Sequence, residues 1–72
     1  MNNNNTLFEN QKIAMLQSDT LREYRAIVSL LRRLKPKMVS AISQGNFTII
    51  DQGDMIVITI NDFMATEFTV SI

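Results

Sequence analysis

The chain has 72 residues, with 7 basic and 7 acidic side chains and neither cysteine nor histidine. That length sets an expectation of one small domain with a modest core, stabilised by tight packing or by association. Missing Cys and His exclude a disulfide scaffold, a thiol nucleophile, a serine–histidine triad and the preferred ligands of zinc or iron.

Charge is unevenly placed within the zero net total. Residues 20–37 carry Arg22, Arg25, Arg32, Arg33, Lys35 and Lys37 against Glu23 alone, whereas residues 38–72 carry Asp51, Asp54, Asp62 and Glu67 with no base. A basic helical segment joined to an acidic remainder is the expected layout. Overall neutrality gives no support for non-specific binding to nucleic acid or membrane, but a local basic face remains.

Met1–Asn5, MNNNN, offers nothing apolar to bury and reads as a flexible tail, leaving residues 6–72 as one domain. Thr6–Gln17 is a first helix, with Thr6 and Glu9 at capping-box spacing; Phe8, Ile13, Met15 and Leu16 are its apolar set, but they define no clean face. Ser18, Asp19 and Thr20 favour a break there. The competing reading is a single helix from Thr6 to Leu34.

Thr20–Leu34, TLREYRAIVSLLRRL, is the organising helix. Thr20 and Glu23 form a second capping-box pair, and Lys35-Pro36 closes the segment. At 100° per residue, Leu21, Tyr24, Ile27, Val28, Leu30, Leu31 and Leu34 cover roughly half of the cylinder. Arg22, Arg25, Arg32 and Arg33 share the opposite side, with Ser29 between them. Pro36–Gln44 restarts as a short helix that Gly45 stops, the alternative being a central helix that continues through Pro36 with a kink.

From Asn46 the apolar period changes to two, which predicts three strands. A two-residue Gln52-Gly53 turn pairs Ile49 with Ile56 and Phe47 with Ile58. An odd loop such as Phe63-Met64-Ala65 pairs Ile60 with Phe68 and Ile58 with Val70. One face then carries Phe47, Ile49, Ile56, Ile58, Ile60, Phe68, Val70 and Ile72, matched to the apolar half of the central helix. The expected fold is α+β: two to three N-terminal helices packed on a C-terminal three-stranded antiparallel meander.

The functional expectations follow from the same residues. No catalytic or metal site and no cofactor is expected; Asp51 and Asp54 read as turn residues. Arg22, Arg25, Arg32 and Arg33 are the candidate partner-binding residues, because arginine grips carboxylate and phosphate in a bidentate fork. Ile50, Met55 and Val57 form an apolar row on the second sheet face, a candidate self-association surface. The expectation is a cytoplasmic, homo-oligomeric protein-interaction module, a regulator or inhibitor of an unidentified acidic protein, in the style of a phage or mobile-element accessory protein. No membrane segment or targeting signal is read in the chain. Nucleic-acid binding through the arginine helix, in a winged-helix-like arrangement, is the alternative.

Overall fold

The computed structural model describes residues 3–71, with side chains from Phe8 onward. Three helices precede three strands: α1 (Asn3–Gln17), α2 (Leu21–Leu31), α3 (Pro36–Ser43), β1 (Phe47–Asp51), β2 (Met55–Ile60) and β3 (Glu67–Ser71). The strands form an antiparallel meander in the order β1-β2-β3, so the chain has the α+β architecture that its periodicity implies.

Residues 6–34 make two helices, not one. The break lies at Ser18–Thr20, where short polar side chains bind the local backbone. Ser18 Oγ donates to the Ala14 carbonyl at 2.6 Å, and the Glu23 N–H donates to Thr20 Oγ1 at 3.1 Å. The reciprocal half of the capping box is displaced by one residue, since Glu23 Oε1 accepts from the Asp19 N–H at 3.0 Å. Helix α1 starts at Asn3, so Thr6 lies within it and does not open it; Met1 and Asn2 lie outside the described residues.

Helix α2 stops three residues before Leu34, with Arg32 as its C-cap. Pro36 then takes the first turn of α3. Gly45, at φ +77°, terminates α3 in a Schellman arrangement. There the Asn46 N–H donates to the Ala41 carbonyl at 2.8 Å, and the Gly45 N–H donates to the Ile42 carbonyl at 3.0 Å.

Both strand registers differ from the expected ones by two residues. Ile49 faces Ile58 and Phe47 faces Ile60, while Phe68 faces Ile58 and Val70 faces Ile56. A shift of two preserves which face each side chain occupies. The first turn centres on Gly53-Asp54, because Gly53 at φ +98° takes its first position; the Gln52 N–H donates to the Met55 carbonyl across it at 2.9 Å. The second loop is five residues long, Asn61–Ala65, because Asp62 is used inside the loop and not as a strand partner.

The core lies between α2, α3 and one sheet face. Ile27, Leu30, Ile42, Ile56 and Ile58 are its largest fully buried side chains, and Phe47, Ile49 and Phe68 pack at its margin. Ile72, expected on the same face, lies outside the described residues. Helix α1 packs on α2 and α3, but with an unexpected side. Ala14 and Asn10 are buried and Ile13 is half-buried, while Phe8, Met15 and Leu16 face outward. Ala14 of α1 and Ala26 of α2 are both fully buried. Burial of Ala26 turns the core-facing sector of α2 toward α1 and leaves Leu21 exposed. No helix among the described residues is long and apolar enough to cross a membrane.

Candidate functional site

Helix α2 carries Arg22 and Arg25, its C-cap is Arg32 and Arg33 follows in the turn, and the fold treats these four differently. Arg22 sits in the first turn, beside the end of β1. Along β1, Phe47, Ile49 and Asp51 alternate onto the helix-facing side, so the carboxylate of Asp51 points toward α2. Arg22 Nε donates to Asp51 Oδ2 at 2.8 Å, and its Nη2 donates to Asp51 Oδ1 at 3.1 Å and to the Gly53 carbonyl. Asp51 Oδ1 also accepts the Gly53 N–H at 2.9 Å. The fork therefore closes on the hairpin turn as a whole. The Arg22 hydrogen bond, followed by that of the Gly53 N–H, lowers the Asp51 carboxyl below its ordinary value, and the same hydrogen bond raises Arg22.

Arg25, Arg32 and Arg33 are exposed and, among the described residues, their side chains make no hydrogen bond or ion pair. Arg25 and Arg32 are seven positions apart, which puts them on one stripe about 10 Å long. Arg33 lies beside them in the turn after the C-cap, and Lys35 and Lys37 continue the exposed basic surface toward α3. Of the four expected partner-binding residues, three thus form an open cluster. Arg22 is committed to holding the hairpin.

The row Ile50, Met55 and Val57 lies on the sheet face away from the helices. Ile50 and Val57 face each other across β1 and β2. Ile50 is 56% exposed; Met55 and Val57 are half-buried. Asp54 stands exposed at the tip of the first hairpin, whereas Asp51 is engaged with Arg22.

A further apolar feature was read in the sequence only as loop. Phe63 and Met64, 98% and 70% exposed, cap the β2–β3 connection. The loop beneath them is braced by Asp62. Its Oδ1 accepts the Met64 N–H at 3.2 Å and the Thr66 N–H at 3.1 Å, and its Oδ2 accepts Thr66 Oγ1 at 3.1 Å. The Thr66 N–H, ahead of the other donors, lowers the Asp62 carboxyl below its ordinary value. Ala65 closes the loop at φ +50°, an uncommon backbone conformation for a residue with a side chain. Beside Phe63 lies a hollow of about 220 Å³, bounded by Lys37, Met38, Ala41, Ile60 and Asp62. The signal that could have located this tip is Asp62 followed four positions later by Thr66, a pair able to clamp a short loop around two apolar residues.

Comparison of the chain with protein families, with curated proteins and with solved structures finds no match.

Proposed function

We propose that the chain is a small non-enzymatic interaction module, a regulator or inhibitor that binds an acidic protein surface through Arg25, Arg32 and Arg33. One observation carries this reading: three arginines along α2 and the turn that follows it have exposed side chains without a partner among the described residues, although the chain has acidic side chains to spare. A guanidinium that already holds a carboxylate within the fold is not free for a partner; these three are. Lys35 and Lys37 extend the same positive surface. The Ile50–Met55–Val57 row serves as the self-association surface in this reading, on the sheet face that the helices leave open.

Nucleic-acid binding is the second reading, and the same cluster favours it because phosphate fits the same fork. The acidic hairpin tip at Asp54 weighs against a winged-helix arrangement that brings that tip to a phosphate backbone.

One titration separates the two. The chain and its triple variant R25Q/R32Q/R33Q are titrated with poly-glutamate and with an arbitrary DNA duplex at several salt concentrations. The proposal expects wild-type binding to poly-glutamate that the triple variant loses, with weak duplex binding. Tight duplex binding that falls steeply with salt, in the absence of poly-glutamate binding, assigns the cluster to nucleic acid. Binding of neither polymer at low salt overturns both readings.

A further inference from the structure

The strongest unassigned feature is the Phe63 tip and the hollow at its side. Phe63 stands almost wholly in solvent at the lip of a hollow whose other apolar walls are Met38, Ala41 and Ile60. An exposed aromatic ring normally covers an adjacent apolar recess when it can reach it, since this removes both surfaces from water. Here the ring borders the hollow without filling it, on a loop braced by Asp62 and turned at Ala65. The volume is sufficient for a ring, because a cavity of about 150 Å³ already admits benzene, and this one holds about 220 Å³.

A protruding ring and a recess side by side on one surface are what a two-fold interface between identical chains requires: the ring of each copy enters the recess of the other. The charges at the rim agree. Lys37 and Asp62 both border the hollow, and among the described residues they form no ion pair with each other within the chain. Two-fold pairing lets Lys37 of each copy approach Asp62 of the other, so the rim is complementary to itself. An acidic or basic partner would meet one of these charges with repulsion. The rigid loop also reduces the ordering cost of association.

We infer that the chain forms an isologous dimer through reciprocal insertion of Phe63 into the Met38–Ala41–Ile60 hollow of a second copy. This interface lies at the opposite end of β2 from Met55, does not use Arg25, Arg32 or Arg33, and takes the place of the Ile50–Met55–Val57 row as the surface of self-association.

Sedimentation of the full chain over a micromolar to millimolar range tests it. The expected result is a dimer for the wild type, at least tenfold weaker dimerisation for Phe63→Ser, and no change for Ile50→Ser. Because Phe63 is 98% exposed, its replacement leaves the circular dichroism spectrum unaltered, and the melting temperature unaltered at concentrations where both chains are monomeric. A second variant, Ala41→Met, fills the hollow and weakens dimerisation while keeping the ring. Mixing the two variants restores heterodimers, since one intact ring then meets one intact hollow. A wild-type chain that remains a monomer throughout the range overturns the inference. So does a dimer unaffected by Phe63→Ser, and one lost on Ile50→Ser instead places association on the sheet row.

Discussion

Arg22 and Asp51 are separated by 29 positions in sequence and by 2.8 Å in space, and their contact joins the first turn of α2 to the β1–β2 hairpin. Both side chains are substantially solvent-exposed, so the pair contributes little to global stability. Its effect is local. Arg22→Lys keeps the charge but lacks the fork that spans both Asp51 oxygens and the Gly53 carbonyl. The expected outcome is a nearly unchanged denaturation midpoint with faster amide exchange at Gln52–Met55, read by hydrogen–deuterium exchange. Unchanged exchange there would show that the hairpin holds without α2.

Acid should weaken the two loops before the rest of the fold. Asp51 and Asp62 both have native carboxyls lowered from the ordinary value of 3.8. A lowered native value means that the unfolded chain takes up the proton first. The stabilisation is therefore complete above 3.8 and is lost as pH falls through the lower native values. Urea denaturation between pH 6 and about 2.5 checks this sign. The double variant Asp51→Asn/Asp62→Asn should show a flatter profile than the wild type.

Two isoleucines on opposite faces of the sheet should differ sharply on truncation. Ile58 is fully buried, whereas Ile50 is exposed. Ile58→Ala should cost about 2–5 kcal/mol, from lost burial and the cavity left behind. Ile50→Ala should remain within about 0.5 kcal/mol of the wild type in the monomer. Chemical denaturation at low protein concentration measures both. Similar losses at the two positions would contradict the assignment of faces.

Gly53 is required by its backbone and not by space. At φ +98° it lies where a side chain is strained, although a Cβ there would meet nothing within 4 Å. Gly53→Ala should destabilise the chain by about 1 kcal/mol, measured by denaturation. A gain in stability on this substitution would refute the turn geometry.

The alternation from Phe47 onward revealed three strands and their buried face, and the two punctuators Pro36 and Gly45 revealed α3. What the sequence concealed has specific causes. Period-two patterning cannot distinguish two registers that differ by two residues, and the deciding facts were the position taken by Gly53 and the use of Asp62 inside its loop. Helix α1 concealed its orientation because Phe8, Met15 and Leu16 face outward. Its seam buries the small Ala14, a tertiary property. Among the arginines, Arg25, Arg32 and Arg33 were correctly read as exposed. Arg22 was not separable from them, yet the clue was present: alternation places Asp51 on the inward face of β1, within reach of a helix lying above it.

The register displacement at both connections carries an evolutionary consequence. A shift of either register by two residues leaves Ile56, Ile58, Phe68 and Val70 on the helix side, while a shift of one residue turns a whole strand over. Length changes confined to the Asn61–Ala65 segment leave the pairing of Ile60 with Thr66, and so the faces of both strands, as they are. Drift in this loop can lengthen, shorten or remove the projecting Phe63-Met64 tip without repacking the core, so the tip can be remodelled for a new partner while the scaffold beneath it stays as it is.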